Sequence, residues 1–127
     1  MNISTHKQEI LPNVVKWAKT QGYDNIKANL EGFIKPKTYK READKDNFTP
    51  DATGLNFSEK SYFEIILKTD TPLRLITKLK LLSQLAAINA GTLFVIAPKG
   101  HVSFAQKLVN KNNITATVIK ADAITLT

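Results

Sequence analysis

The alternation of apolar and polar positions predicts a succession of helices and strands, and its strongest signal lies at residues 61–68. This stretch, Ser-Tyr-Phe-Glu-Ile-Ile-Leu-Lys, is typical of a buried strand because it is almost wholly apolar over a strand's length. One carboxylate, that of Glu64, lies inside it. An ionised carboxylate in such surroundings is costly unless a cation, a metal or a proton compensates it. Glu64 is therefore the first candidate for a functional residue.

The segment before this strand predicts one helix and two further strands. Apolar residues recur at helical spacing over residues 5–20, and Pro12 inside that pattern favours a regular helix with the proline in its first turn. Residues 25–34 and 48–57 alternate as strands on either side of a polar loop, and Glu31-Gly32 favours a bulge or a tight turn within the first of them, which resumes at Phe33-Ile34. With residues 61–68, these two strands are expected to form a meander.

The segment after the strand alternates helices and strands. Pro72 at a first helical position, with Asp70 or Thr71 as N-cap, predicts a helix that ends at Gly91. Because this helix is apolar nearly all the way round, we expect the sheet and either another helix or a second subunit to cover it. The crossover it makes implies a parallel pair within a mixed sheet. The predicted elements are helix 72–90, strand 92–97, helix 101–110 and strand 114–120, followed by a tail or edge extension over residues 121–127.

Length and composition indicate one α/β domain over residues 1–127. A chain of 127 residues buries a core without needing a disulfide or a structural metal. The absence of cysteine excludes thiolate zinc sites, thiol catalysis and disulfide scaffolding. No leader and no apolar run of membrane-spanning length is found, so we expect a soluble, cytoplasmic protein. The sequence also lacks the motifs of P-loop NTPases, dinucleotide enzymes and acyl-transfer hydrolases.

The charge balance favours a polyanionic partner. Lysine and arginine number 18 against 11 aspartate and glutamate residues, which gives a net charge of +7 and a pI near 9.7. Because no basic amphipathic membrane helix is predicted, nucleic acid is a better candidate than a membrane surface. A basic protein without any nucleic-acid partner remains the alternative on charge alone.

A second carboxylate makes a metal site a candidate. Strand alternation places Glu64 and Lys68 on the same face, and Asp51 lies on the strand expected to neighbour theirs. Two converging carboxylates form a hard, oxygen-rich site suited to Mg²⁺ or Mn²⁺. The alternative is structural, with Asp51 as a turn residue and Glu64 in an ion pair with Lys68 or a lysine of a neighbouring strand.

Pro50-Asp51 on the second strand, Glu64 on the third and the order of the elements resemble the PD-(D/E)xK nuclease superfamily of restriction enzymes and Holliday-junction resolvases. The resemblance covers about residues 5–120. It implies a restriction-endonuclease-like fold and a metal-dependent DNA endonuclease, with Asp51 and Glu64 holding Mg²⁺ or Mn²⁺. The family sometimes adds a glutamate from the first helix, for which Glu9 is the candidate.

The chain departs from the family pattern at the position of the motif lysine. The family places a lysine two residues after the glutamate, where it helps to position or activate the attacking water, and here that position is Ile66. Lys68, on the same strand face, is the candidate catalytic replacement. A family subgroup carries a glutamine in the following helix, for which Gln84 is the candidate, although the aromatic residue expected four residues on is Ile88. Other cations available from that helix are Arg74, Lys78 and Lys80.

Basic residues of the polar loop and the following helix are the candidates for nucleic-acid contact, with DNA favoured over RNA. They form a phosphate-contacting arm in one interpretation and a solvated surface in the other. Tyr39 lies among them and is a candidate for stacking on a base. The candidate residues are Lys35, Lys37, Lys40, Arg41, Arg74 and Lys78.

Two alternatives to an active nuclease stay open. Ile66 favours a nuclease-fold protein that has lost catalysis and binds nucleic acid or a protein partner. The apolar helix over residues 72–90 favours a subunit that assembles, with a homodimer as the simplest form.

Overall fold

The protein is an α/β fold built on a five-stranded mixed sheet with four helices, in a computed structural model that describes residues 3–41, 46–68 and 71–124. A separate two-stranded sheet joins β2 to β3. In chain order the elements are α1 (Ile3–Thr20), β1 (Asp24–Ala28), β2 (Tyr39–Lys40), β3 (Asn47–Phe48), β4 (Ala52–Asn56), β5 (Glu59–Ile65), α2 (Pro72–Ile88), β6 (Leu93–Ala97), α3 (Val102–Lys111), β7 (Thr117–Lys120) and α4 (Ala121–Ile124).

The strand order of the large sheet is β1-β4-β5-β6-β7. Its first three strands run antiparallel, as the predicted meander requires, and β5, β6 and β7 run parallel. Asn56 pairs with Glu59, so only Phe57 and Ser58 connect β4 to β5. The helices α2 and α3 make the two crossovers between the parallel strands. The predicted mixed sheet with a parallel pair around helix 72–90 is therefore confirmed.

The two faces of β5 pack into separate apolar cores. Phe63 and Ile65 lie in the core beneath α1 and α4, whereas Tyr62 and Ile66 lie in the core beneath α2 and α3. Burial on both faces explains why the strand is apolar throughout rather than alternating. Glu64 shares the α2 side of the strand with Tyr62 and Ile66 by the same alternation.

Several predicted bounds need correction. Helix α1 runs unbroken through Pro12, which is exposed, so the regular helix does not begin there. The break expected at Glu31-Gly32 is a turn over residues 29–33, so β1 ends at Ala28 and does not resume as a strand at Phe33-Ile34. The expected strand 48–57 is divided into β3 and β4, and the expected tail begins with α4. The N-cap of α2 is Thr71, and the other candidate, Asp70, lies outside the described residues.

The β2–β3 hairpin is anchored beside the first half of α2. The hydroxyls of Tyr39 and Tyr62 are 3.3 Å apart. The guanidinium of Arg74 lies 4.7 Å from the centre of the Phe48 ring and donates to the Asn47 carbonyl at 3.0 Å. These contacts hold β2 against β5 and β3 against α2.

One face of α2 packs on the sheet, and its C-terminal end presses on β5. Leu75, Leu79, Leu82 and Ala86 are buried, but Leu73 and Ile88 are 75% and 79% exposed. The expected homodimer through this helix therefore stays a prediction. At the helix end, a Cβ built on Gly91 would lie 1.9 Å from the Lys60 carbonyl oxygen. No helix within the described ranges is both long and apolar enough to cross a membrane.

Candidate functional site

The β4–β5 pairing brings Asp51 and Glu64 together. Ala52 pairs with Phe63, so Asp51 and Glu64 are the next positions of the same antiparallel register. The backbone N–H of Asp51 donates to Glu64 Oε1 at 3.0 Å, and the N–H of Ile65 donates to Asp51 Oδ2 at 2.8 Å. Each carboxylate is thus fixed by a backbone group of the neighbouring strand, at the carboxyl end of β5.

Two lysines from different helices reach this pair. Lys7 Nζ of α1 lies 3.3 Å from Asp51 Oδ2 and 3.6 Å from Glu64 Oε2, so its ammonium group bridges the two carboxylates. Lys78 Nζ of α2 lies 2.5 Å from Glu64 Oε2. We refer to Lys7, Asp51, Glu64 and Lys78 as the carboxylate cluster. With both acids ionised, its formal charges sum to zero.

Burial dominates the electrostatics of the cluster. The side chain of Glu64 is 1% exposed and that of Asp51 is 11% exposed. Burial, together with the negative charge of Glu64, raises the pKa of Asp51 from 3.8 to about 6, against the opposing effect of Lys7 and Lys78. Asp51 therefore takes up a proton under mildly acidic conditions.

Helical spacing explains why these two lysines point inward. Lys7 precedes the buried Leu11, Val14 and Ala18 at intervals of four, seven and eleven residues, which is one face of a helix. Lys78 lies three residues after Leu75 and four before Leu82, again on the buried face. Lys78 is among the cations that the sequence offered as a replacement for the motif lysine. Lys7 was missed, although a lysine in phase with the apolar stripe of its helix is a signal that could have identified it.

The structure does not bring Lys68 or Glu9 to the cluster. Strand β5 ends at Ile65, so the alternation that placed Lys68 beside Glu64 stops first, and Lys68 is exposed. Its backbone N–H donates to His101 Nδ1 at 2.9 Å. Glu9 is exposed on α1, about 200° around the helix from Lys7. Among the described residues, no group of three or more histidine, aspartate or glutamate side chains is arranged to hold a metal.

The residues predicted to contact nucleic acid fall into two groups. Lys35, Lys37 and Lys40 are exposed; Lys35 Nζ donates to the Leu30 carbonyl at 2.9 Å, and Lys37 Nζ lies 5.4 Å from the centre of the Tyr39 ring. Arg74 and Lys78 instead serve the hairpin and the carboxylate cluster. Arg41 lines a groove of about 380 Å³ against α2, whose other lining residues are Thr77, Lys80, Leu81 and Gln84.

The donor set of the cluster fits a hard divalent cation. Both acids offer carboxylate oxygens, the ligands that Mg²⁺ and Mn²⁺ prefer, and the Lys7 ammonium already lies between them. Fold and site together define an α/β protein with a charge-balanced carboxylate pair at the carboxyl end of a central strand. Comparison of the chain with protein-family models, curated proteins and solved structures finds no match.

Proposed function

We propose that this protein is a metal-dependent DNA endonuclease of the PD-(D/E)xK type, in which Asp51 and Glu64 hold Mg²⁺ or Mn²⁺ and Lys78 replaces the motif lysine. The observation that carries the proposal is the position of Lys7 Nζ, within 3.3 Å and 3.6 Å of one oxygen from each acid. The Lys7 ammonium group therefore lies at a position from which a single cation contacts both carboxylates. The cytoplasm is the compartment that we propose for this activity.

The element order supports the same proposal. A helix, three antiparallel strands, a second helix and a parallel strand follow one another here, with Asp51 before the second strand of the meander and Glu64 near the end of the third. This order agrees with the restriction-endonuclease-like fold that the sequence resemblance implied. The net charge of +7 agrees with a polyanionic substrate.

The residues of the cluster divide the chemistry between them. A bound divalent cation would activate a water molecule and neutralise charge on the phosphodiester. Asp51 and Glu64 are held in place by backbone donors, so they can bind without reorganising. Lys78 is positioned to donate to the water or to a phosphate oxygen, the part that Ile66 cannot take. Lys7, whose side chain is 20% exposed, is the group that gives up its position on binding.

Nicking of supercoiled plasmid and cleavage of labelled linear and branched DNA, each with Mg²⁺, Mn²⁺ or EDTA, test the proposal. We expect metal-dependent cleavage that Asp51→Ala and Glu64→Gln abolish and Lys78→Met reduces by at least tenfold. Asp24→Ala, which removes an exposed carboxylate of β1, is the matched control and retains full activity. Cleavage that survives in the Asp51→Ala protein would be that of a contaminant and would refute the proposal.

A nuclease-fold protein without catalysis is the second candidate, and the charge balance of the cluster favours it. Glu64 Oε2 is within 3.6 Å of one lysine and 2.5 Å of another, so the pair is neutralised without any metal. Such a protein would bind DNA in a salt-sensitive manner without cutting it. Its melting temperature would not rise with Mn²⁺, whereas a metal-binding site raises it as the ion concentration exceeds Kd.

A further inference from the structure

We propose that the groove between the β2–β3 hairpin and the outer face of α2 binds the phosphate backbone of the DNA strand that enters the carboxylate cluster. This inference rests on the proposed function, because it takes DNA as the ligand. We refer to the groove, of about 380 Å³, as the α2 groove; it is lined by Arg41, Thr77, Lys80, Leu81 and Gln84.

The lining of the α2 groove fits a phosphodiester chain. It offers a guanidinium, an ammonium and an amide, while the Thr77 hydroxyl donates to the Leu73 carbonyl at 3.1 Å; none of the described residues that line it is acidic. Arginine recognises phosphate oxygens through a planar fork of donors, and lysine does so as a compact charge. The Gln84 amide adds a neutral donor. The Asp46 carboxylate of the hairpin is paired with Arg74, so the repulsion that it would exert on a phosphate is reduced.

The α2 groove lies close enough to the cluster to hold the same strand. Thr77 and Leu81 lie about 100° and 60° around the helix from Lys78 and within one turn of it along the axis. Lys78 contacts Glu64 on the inner side of α2, while the groove opens on the outer side. The separation is therefore about the diameter of a helix with its side chains, roughly 10–12 Å. A DNA backbone that passes around α2 would contact both the α2 groove and the carboxylate cluster.

The wall of the groove that carries Arg41 is fixed before any ligand binds. The backbone N–H of Arg41 donates to the Asp46 carbonyl at 2.8 Å, which continues the pairing of β2 with β3. The hairpin is in turn anchored by the contacts of Arg74 with Asn47 and Phe48. A preformed wall lowers the entropy cost of binding, because little has to become ordered.

Fluorescence anisotropy with a labelled 30-base-pair duplex, in EDTA so that no cleavage occurs, tests the inference. The variants are Lys80→Gln, Arg41→Gln and Gln84→Glu, and Lys107→Gln, exposed on α3, is the matched control. We expect each loss of charge in the groove to weaken binding by about fivefold and to lower the slope of log K against log salt by about 1. Gln84→Glu, which adds a carboxylate without changing the size of the side chain, is expected to weaken binding further.

The outcomes separate this inference from the proposed function. If the groove variants bind weakly and Lys107→Gln binds like the parent, the groove is established, whether or not the protein cuts DNA. If all the variants bind like the parent, the groove is refuted, while the endonuclease is still judged by cleavage. If the parent protein binds no DNA, both are refuted. Circular dichroism confirms that each variant is folded, and Arg41→Lys, which keeps the charge, is expected to restore most of the affinity.

Discussion

Removing Lys78 should destabilise the protein far more than removing another lysine of the same helix. Lys78→Met deletes the ammonium group that lies 2.5 Å from Glu64 and keeps most of the apolar stem. Lys80→Met deletes an exposed ammonium group two residues further along. The two variants change the net charge equally, so any difference between them reports on the contact with Glu64.

The expected size of the effect follows from burial. Breaking a buried ion pair by removing one partner costs about 3–5 kcal/mol, because the remaining charge is left in a poorly solvated place. Two features lower the figure here: Lys78 is 17% exposed, and Lys7 remains 3.6 Å from Glu64 Oε2. We therefore expect Lys78→Met to lower the free energy of unfolding by about 2–3 kcal/mol, which corresponds to a melting temperature lower by roughly 10 °C. Lys80→Met should change it by less than about 0.5 kcal/mol.

Urea denaturation at pH 7 in EDTA measures the difference between the two variants. A double-mutant cycle with Glu64→Gln then isolates the pair: Glu64→Gln combined with Lys78→Met should recover about half of the loss, since the uncompensated charge is gone. Adding Mn²⁺ to Lys78→Met should also recover stability, because the ion replaces the missing positive charge. Equal stabilities for Lys78→Met and Lys80→Met would refute the reasoning and would mean that Glu64 does not depend on Lys78.

Three further predictions follow from the same structure. In EDTA, Asp51 binds its proton more tightly in the folded protein than in the unfolded chain, because folding raises its pKa from 3.8 to about 6. The free energy of unfolding should therefore fall by about 3 kcal/mol as the pH rises from about 4 to 6. Urea titrations across this range should show the fall in the parent protein and not in Asp51→Asn. Lys7→Met should strengthen Mn²⁺ binding, measured by calorimetry, because a competing cation is removed; an unchanged or weaker affinity would contradict this. Phe57 is 96% exposed with φ +58°, so Phe57→Asn should raise the free energy of unfolding by about 0.5–1 kcal/mol, whereas Ser58→Asn should leave it unchanged.

Most of the strands and helices could be predicted from the sequence, because the hydrophobic patterns that predict them are strongest where the chain is most deeply buried. The β5 strand is covered on both faces, and its apolar run reports this directly. Pro72 at the start of α2 was equally informative, since proline is favoured in the first turn of a helix. The β2–β3 hairpin was harder to predict, because each strand has only two residues and their pairing depends on tertiary contacts rather than on a local sequence pattern.

Only the two acids of the site could be predicted from the sequence, and the reason is different. Asp51 and Glu64 are identified by strand register, which local alternation and turn length largely determine. The cations come from helices, and the side of a helix that meets the end of the sheet depends on packing angles that sequence periodicity leaves open. Lys68 was favoured on the assumption that β5 continues to it, but the strand ends at Ile65.

The close contact between Gly91 and the Lys60 backbone couples the C-terminal end of α2 to β5. Lys78 lies ten residues before Ile88, where α2 ends, which is about 15 Å along the helix axis. Because the Lys60 carbonyl leaves no room for a Cβ, any side chain at position 91 must push this end of the helix off β5. Lys78, in the first half of the same helix, contacts Glu64, so a substitution at position 91, which changes no acid and no base, would shift the Lys78 ammonium relative to Glu64. The side chain at position 91 thus influences the geometry of the carboxylate cluster from beyond the C-terminal end of α2, without contacting it.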